Sequence, residues 1–82
     1  MIDAAQIRAA RALIEWKQQD LADKAGLSFA TIQRMESLGT GRSSAANVDA
    51  VTKALEAAGV QFIAENGGGA GVRMAKPKGA SA

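Results

Sequence analysis

At 82 residues the chain suits one domain with a small core. It has no Cys and no His, which excludes disulfides, thiolate chemistry, an ordinary zinc site and a His general base. Net charge is +2, but residues 1–65 hold seven Lys/Arg against eight Asp/Glu, and the excess lies in Arg73, Lys76 and Lys78. Hydrophobic residues make up 48% of the chain, many of them Ala, so the core must be closely packed helices rather than large side chains. No signal peptide or transmembrane run is present, so a cytoplasmic protein without membrane contact is expected.

Asp3 is a cap for a first helix running to about Glu15. Ile7, Ala10 and Ile14 recur at helical spacing as its buried stripe, Leu13 lies on the flank, and Trp16 follows as a core residue. A second helix spans about Gln18 to Ala25, with Leu21, Ala22 and Ala25 inward. Gly26 then takes the chain out of it in a conformation that favours positive φ. Leu27 is expected to bury in the turn. Ser28 caps a third helix from Phe29 to about Ser37, with Ile32 and Met35 inward.

Leu38 to Arg42 reads as a Gly-containing loop. Ser43 or Ser44 caps a fourth helix to about Ala58, with Val48, Val51, Leu55 and Ala58 inward and Gly59 at its end. The pattern then changes to β. Val60–Glu65 and Gly71–Ala75 flank an Asn66-Gly67 turn and predict a β-hairpin, which must pack on the helices or pair with another chain. Residues 1–59 and 60–75 are thus a helical domain and a hairpin, a candidate dimerisation element. Residues 76–82 read as a disordered tail. The Gly67–Gly69 run lacks the Lys-Ser/Thr ending and the strand–helix context of a phosphate loop.

Residues 18–36, QQDLADKAGLSFATIQRME, read as two short helices around a tight turn, the second with a polar outer face. That is the form of a helix-turn-helix, whose second helix enters the DNA major groove. Arg11, Gln18, Leu21-Ala22, Ala25-Gly26-Leu27-Ser28, Ile32 and Glu36 stand in register, and over roughly residues 4–58 the chain resembles the Xre/Cro helix-turn-helix regulators, the class that includes phage lambda-like repressors. The resemblance implies a mainly α fold: a four-helix lambda repressor-like DNA-binding domain, here with a C-terminal β-hairpin. It also implies a homodimer on double-stranded DNA, without metal or cofactor. Three positions depart from the family pattern. Glu15 stands where a small residue is usual, the hairpin replaces the fifth helix, and Phe29 takes an early recognition-helix position that is commonly polar.

Phe29, Ala30, Thr31, Gln33 and Arg34 face outward if Ile32 and Met35 face inward, and are the candidate base contacts. Phe29 and Ala30 suit thymine methyl groups, and Arg34 suits guanine O6 and N7. Gln18, at a helix start, matches a family residue that contacts phosphate and braces the recognition helix. Arg42, Ser43 and Ser44 bring a cation and hydroxyls to another helix start, a phosphate-binding arrangement. Arg11 and Glu36 match a structural salt bridge of the family. Val60, Phe62, Val72 and Met74 share one face of the hairpin and are, with the fourth helix, candidates for the dimer interface.

These residues predict a sequence-specific transcriptional regulator, a dimeric repressor on a palindromic operator. The competing expectation is an antitoxin-like or protein-partner-binding helix-turn-helix module, which the near-neutral helices and Phe29 keep open. An enzyme is not expected. The chain offers no His, Cys or Tyr, no convergent carboxylate pair, and little room for an enclosed cavity.

Overall fold

A computed structural model describes residues 1–75, and the Lys76–Ala82 tail lies outside the described residues. Helix α1 (Ala4–Leu13) starts where Asp3 predicts: the Asp3 carboxylate accepts the Gln6 N–H at 2.8 Å, and Gln6 Oε1 accepts the Asp3 N–H at 2.9 Å. This reciprocal capping box satisfies two of the amides that a helix start leaves without partners.

α1 ends two residues before the expected Glu15. Ile14 is the C-cap, and Glu15 takes φ +56, the one non-glycine positive φ among the described residues. The Trp16 N–H reaches Arg11 O at 2.9 Å and the Glu15 N–H reaches Ala12 O at 3.3 Å. That pairing is a Schellman termination, which wants glycine at the left-handed position. Glu15 therefore sits in a conformation costing about 1–2 kcal/mol for an L-residue with a side chain. Glu15→Gly is expected to raise the melting temperature by about 4–8 °C, the equivalent of roughly 1 kcal/mol in a domain of this size. A thermal denaturation scan checks this, and a fall would contradict it.

Helix α2 (Gln18–Ala25) begins with the Lys17 N–H donating to Asp20 Oδ2 at 2.8 Å. It ends at Gly26, φ +70, as expected. The Leu27 N–H then reaches back to Ala22 O at 2.9 Å, which sets the sharp turn toward the next helix. Leu27 is half-buried rather than fully buried, and Trp16 likewise packs on the core from its edge. Helix α3 (Phe29–Leu38) is capped by Ser28, whose hydroxyl accepts the Thr31 N–H at 3.1 Å. The expected loop after it contains a 3-10 turn, Thr40–Arg42. Ser44, not Ser43, caps helix α4 (Ala45–Ala57), accepting the Asn47 N–H.

The four helices close around Ile7, Leu21, Ile32, Met35, Val51 and Leu55, all essentially without solvent exposure. Gly59, φ +102, turns the chain from α4 into β1 (Val60–Ile63), which pairs antiparallel with β2 (Gly71–Met74) in the register Val60↔Met74 and Phe62↔Val72. The hairpin thus closes within one chain. It packs on the helices through Val60, Phe62 and Val72. Its strands are shorter than expected, so residues 64–70 connect them rather than residues 66–70. The Glu65 carboxylate organises this loop by accepting the Gly67 and Gly69 N–H groups at 3.2 and 3.1 Å. Both glycines have positive φ.

Gln6 docks the hairpin. Its side-chain amide, in a residue 6% exposed, donates to Ile63 O at 3.2 Å and Gly71 O at 2.9 Å while its carbonyl completes the capping box. One side chain therefore starts α1 and holds the far end of both strands. Thr40 Oγ1 donates to Ile2 O at 2.8 Å and ties the N-terminal segment to the turn after α3.

Candidate nucleic-acid interface

Helix α3 divides cleanly by exposure. Ile32, Met35 and Glu36 are buried, whereas Phe29, Ala30, Gln33, Arg34, Ser37 and Leu38 are exposed. Positions 30, 33, 34 and 37 recur at helical spacing, so they lie on one face. The inner face is fixed by two core hydrophobes and one carboxylate, and this leaves the outer face free to meet a ligand.

That carboxylate, Glu36, is a hub. Arg11 Nε meets Glu36 Oε2 at 2.7 Å and Arg11 Nη2 meets Oε1 at 2.8 Å, a two-pronged pair with side chains 19% and 4% exposed. A planar guanidinium matches a carboxylate in this way, and the pairing fixes orientation as well as distance. The Arg11 Nη1 donates to Trp16 O at 3.0 Å, so the same residue secures the end of α1. Hydrogen bonding to Glu36 raises the Arg11 pKa above its ordinary value, with the Glu36 charge adding to this and burial opposing it. Arg11 therefore keeps its charge at every working pH.

Two further donors reach the same residue. Gln18 Nε2 donates to Glu36 Oε1 at 3.1 Å, and Arg8 Nη1 donates to the Glu36 main-chain carbonyl at 2.6 Å. The carbonyls of a helix's last turn lack intrahelical partners, and a cation there also suits the helix dipole. Thus α1 and the first residue of α2 both grip the C-terminal half of α3. Gln18 is expected at a helix start as a brace and phosphate contact. The bracing bond is present, and the amide's carbonyl and second N–H have no partner among the described residues. Arg8 was missed. Its position three residues before Arg11, hence on the same side of α1, was the available signal. Gln6 was missed as the hairpin's anchor, although its Asp3-x-x-Gln6 spacing announced the capping box.

On the outer face the Arg34 guanidinium has no hydrogen-bond or ion-pair partner among the described residues. Phe29 is 40% exposed at the N-terminal end of the helix. Thr31 is half-buried, and its hydroxyl lies 2.8 Å from the Ser28 hydroxyl within the cap. Arg42, at the end of the 3-10 turn, is also exposed and unpaired among the described residues. Ser43 is half-buried, and its N–H is taken by Thr40 O. The Ser44 hydroxyl accepts from the Asn47 N–H, and its own O–H has no acceptor among the described residues.

The four hairpin residues expected at a dimer interface are not equivalent. Val60 is 2% exposed and belongs to its own chain's core, so it has no surface to offer a second copy. Phe62 and Val72 are half-buried against that core, and Met74 is 46% exposed. No helix among the described residues is long and apolar enough to cross a membrane.

A family model described as helix-turn-helix matches residues 7–61, which runs from within α1 to the start of β1. No curated protein and no solved structure matches the chain. With the buttressed second helix of the pair exposed in register, the match is decisive for family: the chain belongs to the Xre/lambda repressor-like helix-turn-helix family of DNA-binding regulators.

Proposed function

We propose that the protein is a repressor that binds a palindromic operator as a homodimer, with α3 laid in the major groove. The observation that carries this reading is the outer face of α3, open from Phe29 to Arg34 while its inner face is locked by Ile32, Met35 and Glu36. Arg34 reads guanine through O6 and N7; Phe29 and Ala30 contact thymine methyl groups; Thr31 and Gln33 complete the base-contacting set. Gln18, Arg42, Ser43 and Ser44 hold phosphates on either side of the groove. Two copies joined through Met74 and Val72 at the hairpin present two recognition helices about 34 Å apart, one turn of the duplex.

The helices and hairpin carry no net positive charge, so each placed cation carries a large share of the phosphate contact. Replacing Arg42 with Ala is therefore expected to weaken binding about equally on all sequences and to lower the salt slope by about 1. Titration of an operator duplex at several salt concentrations tests this. An unchanged slope would remove Arg42 from the phosphate contacts.

A further inference from the structure

A groove of about 690 Å³ runs along α4 on a surface to which neither α2 nor α3 contributes. Ile2, Val48 and Phe62 form its apolar floor, and Asp3, Asp49, Glu56 and Glu65 line its rim. Among the described residues no Lys or Arg lines it. Asp3 and Glu65 are partly engaged by backbone N–H groups. Asp49 has Lys53 Nζ at 3.0 Å, but both side chains are mostly exposed, a pairing that exchanges readily. The Glu56 carboxylate has no hydrogen-bond or ion-pair partner among the described residues.

We infer that this groove docks an amphipathic helical segment of a protein partner, with apolar side chains on one face and flanking Lys or Arg. The α4 residues that line it, from Ala45 to Glu56, span about 16 Å, the length of roughly eleven helical residues. An apolar floor between a helix and a hairpin accepts side chains at i, i+3 and i+4, and a carboxylate rim selects a cationic border. A second copy of this chain seated by a two-fold axis would set these carboxylates against their own counterparts. Nucleic acid is repelled by the same charges. Because the groove excludes α2 and α3, the partner and DNA bind together, and the inference goes beyond the DNA reading without depending on it.

The test is an anisotropy titration of the full chain with a fluorescein-labelled Leu/Lys peptide of about twelve residues patterned as an amphipathic helix. Saturable binding is expected, and none to the Leu/Glu analogue. The double variant Asp49→Lys/Glu56→Lys should bind the peptide about tenfold more weakly, since two exposed charge pairs become two repulsions. Thr52→Trp, which fills the groove, should do the same. Thr52→Trp should retain wild-type DNA binding, which separates this test from the operator reading. Equal peptide affinity in the double variant would overturn the inference, as would equal binding of a Ser/Lys peptide. A change of oligomeric state in the double variant would make a second copy the occupant instead. Tighter peptide binding by Lys76→Glu/Lys78→Glu would point to the chain's own tail.

Discussion

Glu36→Ala should lower the melting temperature by at least about 12 °C, the equivalent of losing about 3–5 kcal/mol. The carboxylate is 4% exposed and accepts from Arg11 twice and Gln18 once. Removing it leaves a partly buried guanidinium without its counter-charge, and truncation is harsh for that reason. A chain of this length has roughly 4–12 kcal/mol of total stability, so the variant should sit near the edge of folding. Replacing both partners, as in Arg11→Met/Glu36→Met, removes the stranded charge and should recover much of the loss. Urea and thermal unfolding of the two variants decide the matter. An unchanged melting temperature for Glu36→Ala would mean that the hub does not hold α3.

Gln6→Glu should detach the hairpin. The amide donates to Ile63 O and Gly71 O, and a carboxylate of the same shape has nothing to donate. Two strand carbonyls then lose their partner and face a negative charge, at a cost of about 2–4 kcal/mol for unsatisfied buried groups. The capping box survives, because the oxygen that accepts the Asp3 N–H remains. The loss should therefore be local. Hydrogen exchange should quicken at Val60–Ile63 and Gly71–Met74 while the amides of α1 and α3 stay protected. Uniform protection across the hairpin would show that its apolar contacts alone are enough.

How much of this was legible in the sequence depends on the range of the interaction. Asp3, Ser28, Gly26 and Gly59 act on neighbouring backbone, so the helix limits could be read within a residue or two. Glu15 is the instructive exception. Its departure from a usual small residue was visible, but only the geometry shows that the position is left-handed, which ends α1 early. The Asn66-Gly67 pair placed the turn, but Glu65, expected in the strand, folds back onto two glycine amides and lengthens the loop. Arg8 and Gln6 bind main-chain carbonyls 28 to 65 residues away, which no local pattern encodes. Arg11–Glu36 was legible only through family resemblance. The outward residues of α3 followed directly from the inward ones, because helical periodicity fixes one face once the other is known. The hairpin's face was legible too, but its burial was not. Alternation placed Val60 with Met74, and only packing shows that one is core and the other open.

Arg34 on guanine is the contact through which α3 is proposed to read bases. Selection of bound sequences from randomised duplex DNA, with Arg34→Ala run beside the wild type, tests it directly. The expected result is a palindromic motif whose half-sites each contain a G·C pair, and loss of that preference in the variant, worth about 1–3 kcal/mol of discrimination. A motif unchanged by the substitution would contradict the assignment of Arg34. No enrichment from folded protein at low salt would contradict base reading by α3 altogether.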